Sequence, residues 1–163
     1  MRWIWIDRFV EFDPGKSATA VKALSSAEDH FAEHFPGYPV MPAALILEGL
    51  AQTGGILVGE ANDYCEKVVL AKIPRAHFHA EALAGQELAY EITLVDLRGE
   101  GALVAGKVTA DGALFAEAEI FFAHLDKSRS QQLFGDHNFV FSGELKHLLG
   151  LAKMTAQRTE SAT

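Results

Sequence analysis

The segment His34-Phe35-Pro36-Gly37-Tyr38-Pro39-Val40-Met41-Pro42 runs directly into Ala43-Ala44-Leu45-Ile46-Leu47-Glu48-Gly49-Leu50-Ala51-Gln52. Three prolines ahead of the alanines exclude regular structure there and stiffen the backbone. Pro42 suits the first turn of a helix, where its missing N–H costs nothing. Ala43 to about Gly59 predicts one helix. It is apolar nearly all round, so it should lie buried at the centre of the fold.

Strands are predicted on both sides of this helix. Residues 3–12 mix aromatic and branched side chains with Asp7, Arg8 and Glu11, a strand pattern. Asp13-Pro14-Gly15-Lys16 marks a turn, and residues 17–24 form a second strand candidate. Ser25 to Glu33 is polar and acidic, with Phe31 as its anchor. Beyond Asn62-Asp63, residues 67–79 and 86–97 are strand candidates; Leu88, Tyr90, Ile92 and Leu94 share a face of the second. Residues 102–110 and 113–125 flank Asp111-Gly112, a two-residue hairpin signal. Leu114, Ala116, Ala118, Ile120 and Phe122 share one face of the last strand. Two strands, one buried helix and about four further strands predict an α+β layer architecture. One helix covers one face of such a sheet and leaves its edges open, so a dimer that continues the sheet is expected.

A chain of 163 residues and 17.7 kDa fits one compact domain. The net charge of -8, from 14 basic and 22 acidic residues, argues against broad binding to nucleic acid or anionic membrane. The charge is uneven: residues 1–125 hold 9 basic and 18 acidic side chains, residues 126–163 hold 5 and 4. One cysteine, Cys65, excludes an internal disulfide and a multi-cysteine zinc site, and fits a reducing, cytoplasmic setting. The stretch from Met1 to Arg8 has no apolar run of signal-peptide length. The weakly polar run Tyr38 to Gly59 has the length of a membrane span. A carboxylate in its middle, Glu48, together with Gln52, favours a helix buried in a soluble protein.

Three groups in the opening segment carry chemistry. Glu48 is the only charged residue between Glu33 and Glu60, and an isolated carboxylate on an apolar helix is costly unless paired. Gln52, four residues on, shares its face and can hydrogen-bond it. Alternatively, Glu48 simply faces solvent. His34 begins the stiff loop; an imidazole takes and returns protons near neutral pH, and a rigid backbone fixes it in place. Alone, it would be an ordinary surface histidine. The free N–H groups of Ala43 and Ala44, at the positive end of the helix dipole, can hold a carbonyl oxygen as it gains charge. A base, an acid and an oxyanion donor suffice to remove a proton alpha to a carbonyl and expel a beta hydroxyl. That chemistry requires no metal.

The run from His34 to Gln52 resembles the 3-hydroxyacyl-acyl-carrier-protein dehydratases of fatty-acid synthesis. Their pattern is H-F-P-G-x-P-[VI]-x-P-G followed by L-[IL]-[EL]-[ED]-A-[ML]-A-Q, and the 14-residue spacing from His34 to Glu48 matches their catalytic pair. The resemblance covers roughly residues 5–125, with Ala71 to Phe78 similar to the next family strand. It implies the hotdog fold, a curved antiparallel sheet wrapped around one long helix. It also implies homodimers, often trimers of dimers, with the histidine of each site from one chain and the acid from the other. His34 would then be the base at C2 and Glu48 the acid at the C3 hydroxyl. The N–H of Ala43 would hold the thioester carbonyl. Val40 through its carbonyl, Gln52 and the loop glycine Gly37 would support them. No cofactor is implied; the acyl group would arrive on the phosphopantetheine of an acyl carrier protein. That acidic partner needs local cations, for which Lys72 and Arg75 are candidates, along with Arg129, Lys146 and Lys153. Glutamate at the acid position resembles the branch that dehydrates without isomerising.

The sequence departs from the pattern in places. Ala43 stands where the family has glycine, Gly49 follows the acid where alanine is usual, and Ala84-Gly85-Gln86 replaces P-G-D. Two other readings therefore remain: a hotdog thioesterase in which Glu48 activates water, and a non-catalytic acyl-binding or assembly subunit. His77 and His79, two apart on a strand, lack a third metal ligand, and Cys65 lacks an activating partner. His30 and His124 have no distinguishing context. Residues 1–125 read as the hotdog domain and 126–163 as an extension. Ser142 would cap a helix over 142–154 carrying Leu145, Leu148, Leu149 and Ala152, preceded by Phe134, Phe139 and Phe141. It should pack on the body or a partner, with Thr155 to Thr163 disordered.

Overall fold

The computed structural model describes residues 3–125, 128, 131–132 and 143–160. Six strands form one antiparallel sheet: β1 (Arg8–Asp13), β2 (Ser17–Ala23), β3 (Lys67–Phe78), β4 (Glu87–Arg98), β5 (Gly101–Ala110) and β6 (Ala113–Leu125). Their spatial order is β1-β2-β4-β5-β6-β3. Helices α1 (Asp29–Glu33) and α2 (Ala43–Ala61) lie between β2 and β3 in sequence, and α3 (Gly143–Glu160) follows β6. Helix α2 touches β2, β3, β4, β5 and β6, so the sheet wraps around it. This is the hotdog arrangement, and its α+β character follows the predicted element order.

Alternation sets which face meets the helix. Leu88, Tyr90 and Ile92 of β4 and Ala116, Ala118, Ile120 and Phe122 of β6 are buried. Leu114, predicted to share the inner face of β6, is exposed instead: the β5–β6 register shifts between Val108 and Thr109, so Ala116 faces Val108 but Leu114 faces Thr109, and the alternation inverts past the bulge. That turn has both central residues at positive φ, 52° at Asp111 and 76° at Gly112, as a tight hairpin requires. Helix and sheet approach closely at Gly54, where a Cβ would lie 3.1 Å from the Phe122 ring and 3.3 Å from Val104.

Two expectations are corrected. The first strand begins at Arg8, not residue 3. The Trp5 N–H and the Trp3 carbonyl are taken by the side chain of Gln52, so residues 3–5 lie against the helix instead of joining a ladder, whereas the Asp7 N–H already donates to the Val21 carbonyl of β2. Helix α3 continues to Glu160, past the expected start of disorder at Thr155, because Ala156, Gln157 and Arg158 favour helix and no glycine or proline interrupts them. Its predicted cap Ser142 and the phenylalanines before it lie outside the described residues, as does Arg129. The acidic segment before His34 contains a short helix, α1, with His30 and Phe31 both buried.

Helix α3 lies against β1. Leu145 and Leu149 are buried in the main core, each adding about 2 kcal/mol of hydrophobic stabilisation. The Lys146 ammonium sits 4.0 Å over the Tyr64 ring, and Lys153 pairs with Glu60 near the end of α2. The extension thus shares the core of residues 3–125. Strands β1 and β3 are the sheet edges. Pro74 sits within β3, where a missing N–H is tolerated because one side of an edge strand has no partner.

Candidate active site

The loop after α1 is built around Pro36-Gly37. Gly37 has φ 82°, and Phe35 and Tyr38 exchange two backbone hydrogen bonds of 2.9 Å across the turn. Only glycine takes that backbone angle without strain, which is how Gly37 supports the loop. The His34–Phe35 peptide is cis. Two bonds anchor the loop to the segment after β3: the Tyr38 hydroxyl donates to Glu81 at 2.5 Å, and the Met41 N–H donates to the Ala82 carbonyl at 2.8 Å.

The same loop fixes His34. Its Nδ1 lies 3.1 Å from the Val40 carbonyl, and the Val40 N–H donates to the His34 carbonyl at 2.9 Å. A carbonyl only accepts, so Nδ1 carries the proton and Nε2 presents its lone pair. The ring is half-buried and stacks on Phe35 at 4.0 Å.

Helix α2 begins at Ala43, with Pro42 as its N-cap rather than its first helical residue. The Pro42 carbonyl accepts from Leu45 and Ile46, but proline has no side-chain oxygen to cap the turn. The N–H groups of Ala43 and Ala44 therefore stand uncapped, on exposed residues, beside the histidine loop.

Glu48 lies in the second turn of α2 and is half-buried. One of its oxygens, Oε1, accepts from Gln52 Nε2 at 2.9 Å and from the Trp3 indole Nε1 at 3.1 Å. Gln52 is buried, and its amide is fully used: Oε1 accepts the Trp5 N–H at 2.8 Å, and Nε2 also donates to the Trp3 carbonyl at 3.2 Å. Residue 49 has to be glycine, since a Cβ there would lie 2.4 Å from Cζ of Tyr90. Tyr90 is fully buried with no partner for its hydroxyl among the described residues, and burial first, then the charges of Asp7 and Glu28, push its pKa up.

The structure thus joins His34 with Val40, and Glu48 with Gln52. It does not bond His34 to Glu48 within one chain: among the described residues the polar partner of the ring is Val40, and those of the carboxylate are Trp3 and Gln52. Lys72 and Arg75 are exposed on the edge strand β3. His79 bonds Glu117 at 3.2 Å, and among the described residues no three His, Cys, Asp or Glu side chains group as metal ligands. Among the described residues no helix is long and apolar enough to cross a membrane. Sequence reasoning missed the parts of Trp3 and Trp5 in the site, and the contact of Tyr90 with Gly49. The signal for the tryptophans was their spacing of two, which puts both side chains on one face of an extended segment.

A sheet wrapped around one buried helix, with a histidine loop feeding that helix and a held carboxylate in its second turn, defines a hotdog protein equipped for proton transfer. The chain belongs to the FabA-like domain family, whose model matches residues 3–119. Its relatives include two proteins named 3-hydroxyacyl-[acyl-carrier-protein] dehydratase FabZ. That of Pelotomaculum thermopropionicum is 37% identical over 122 residues, covering 74% of this chain and 87% of the relative. That of Magnetococcus marinus is 40% identical over 121 residues, covering 72% and 79%. Among solved structures, the dehydratase heterocomplex ApeI:P of Xenorhabdus doucetiae shares the fold, with a TM-score of 0.68 at 11% identity over 82% of this chain and 91% of that one.

Proposed function

We propose that this protein is a hydro-lyase that dehydrates a 3-hydroxyacyl thioester, carried on an acyl carrier protein, to the trans-2-enoyl thioester in fatty-acid or related lipid or polyketide synthesis. One observation carries the proposal: two oriented proton-transfer groups, His34 held by Val40 and Glu48 held by Gln52, flank an uncapped helix N-terminus. Identity of 37–40% to named dehydratases over most of the chain supports it.

His34 Nε2 removes the proton from C2. The electron pair forms the C2–C3 double bond as the C3–O bond breaks, and Glu48 gives its proton to the departing hydroxyl, which leaves as water. The Ala43 N–H holds the thioester oxygen while charge builds on it. The groups His34 and Glu48 exchange only protons with the substrate, so the reaction calls for no resident cofactor.

In keeping with the absence of a hydrogen bond between His34 and Glu48 within a chain, the working unit is a homodimer in which each site takes its histidine from one copy and its acid from the other. The open edge of β3 offers the surface for a continued sheet, and three dimers can group further. The acidic carrier approaches Lys72 and Arg75, exposed on that strand. A reducing, cytoplasmic compartment suits the lone exposed Cys65.

Crotonyl thioester tests the activity in reverse. Hydration to the 3-hydroxyacyl product supports the dehydratase; release of free thiol marks a thioesterase; binding without turnover marks an acyl-binding subunit. His34→Ala with unchanged turnover sinks the catalytic assignment.

A further inference from the structure

Glu48 is held by an asymmetric set of donors. Both N–H groups, from Gln52 and from the Trp3 indole, go to Oε1, and among the described residues Oε2 has no donor. The indole is itself braced. Its ring meets Trp5 edge-on at 5.7 Å and 88°. Trp5 is buried and meets His30 at 5.4 Å and 66°. His30 lies on α1, and its carbonyl accepts the N–H of His34 at 2.9 Å. A chain of contacts therefore runs from the donor on Glu48 to the backbone that carries His34.

We propose that Trp3 is a positioning residue for Glu48: its indole N–H, with Gln52, fixes Oε1 as the permanent acceptor and leaves Oε2 as the oxygen that carries and delivers the proton. Two N–H donors on one oxygen disfavour a proton there, because that oxygen's lone pairs are already occupied. The proton therefore sits on Oε2. When Oε2 gives it up, the charge left on the carboxylate is shared with an oxygen that already has two donors, and such charge-assisted bonds strengthen at that moment. Trp3 does not touch the substrate in this scheme. Its other support, the edge-on ring contact, belongs to packing and does not involve the N–H.

The proposal rests on the dehydratase assignment, and its test separates the two. Trp3→Phe keeps an aromatic ring against Trp5 and removes only the N–H donor. Trp3 is 59% exposed, so the folded chain tolerates the change. The expected result is a fall in kcat of about tenfold with KM unchanged, since the donor acts on the acid and not on binding. Trp3→His, which restores an N–H, should recover part of that loss. A second measurement needs no turnover. The chain has two tryptophans, so its proton–nitrogen NMR spectrum has two indole signals; the one lost in Trp3→Phe should shift in Glu48→Gln.

Unchanged kcat in Trp3→Phe, with Glu48→Gln still inactive, overturns the role of Trp3 and leaves the dehydratase standing. A change in KM alone, or an indole signal indifferent to Glu48→Gln, overturns it too. Full activity in Glu48→Gln overturns the dehydratase assignment itself.

Discussion

The two halves of helix α2 belong to one continuous element yet live in different surroundings. From Ala43 to Glu48 the helix is largely open: Ala43 and Ala44 are exposed, Leu45, Leu47 and Glu48 are half-buried, and only Ile46 is buried. From Gly49 to Gly59 every residue is buried. The first half begins in uncapped N–H groups, and its polar side chain is held by Trp3, 45 residues away in sequence, and by Gln52, four residues on. The second half is packed by the sheet and, near its end, is tied to α3 through Glu60 and Lys153. In the proposed dehydratase the contrast divides labour: buried turns supply rigidity, and that rigidity lets the open turns hold the proposed acid and dipole-bearing N–H groups where a substrate can reach them.

The sharpest way to break this comparison is to disable the open half without touching the buried one. His34→Ala and Glu48→Gln should each lower dehydration of a 3-hydroxyacyl thioester about a thousandfold. Thermal unfolding should stay near wild type, since neither side chain is in the core. A large drop in unfolding temperature in either variant would mean that the open half also carries stability.

The reverse experiment comes next in size. Leu57 is fully buried in the second half of α2. Leu57→Ala should cost about 3 kcal/mol in urea unfolding, through lost burial and the cavity left behind. The kcat of the fraction that remains folded should stay close to wild type. If kcat fell together with stability, the two halves would not be separable.

Gly49 stands at the junction and gives a smaller effect. A methyl group there meets the Tyr90 ring, with its Cβ 2.4 Å from Cζ. Gly49→Ala gains helix propensity of about 1 kcal/mol, but overpacking costs about 1–3 kcal/mol. We expect net destabilisation of about 1 kcal/mol by urea unfolding, together with reduced kcat, because the adjacent Glu48 is displaced. Combining it with Tyr90→Leu should recover part of the loss. Net stabilisation by Gly49→Ala alone would remove the steric account of this glycine.

The same division governs what could be seen in the sequence. The buried half, the strand alternation and the Asp111-Gly112 hairpin are local signals: an apolar run, a period of two, and two residues suited to positive φ. The stiff loop and the His34 to Glu48 spacing were equally visible, because proline and glycine leave a mark on the chain itself. The bonds that hold Glu48 were only half legible. Gln52 lies one helical turn away and could be inferred, but Trp3 comes from a segment whose alternation mimics a strand. Only tertiary structure shows that a glutamine side chain has captured its backbone. Tyr90 was assigned correctly to the inner face of β4, yet nothing local tied it to Gly49. The extent of α3 was underestimated because a polar tail reads as disorder when the core it leans on is out of view.

The smallest effect lies beneath the open half, where α1 supports the histidine loop. His30 is buried against Trp5 and Phe31. Burial pulls its pKa below the ordinary histidine value, and the charges of Lys22 and His34 act in the same direction, against Glu28 and Asp29. The folded chain therefore binds this proton less readily than the unfolded chain. Stability from His30 is fully present above the unfolded value of about 6.5 and is lost as pH falls from there through the lower folded value. Glu28 is also shifted down: burial opposes its charge, but the hydrogen bond from Lys22, at 2.7 Å, and the Ser25 N–H outweigh it. Its contribution is present above the usual glutamate value and is lost at lower pH, so the two windows separate. In wild type the urea midpoint should drop between pH 7.5 and pH 5.5, and His30→Gln should make it nearly level over that range. An equal slope in both proteins would show that the footing of the open half does not titrate, and that its stability is as indifferent to pH as the apolar packing around Leu57.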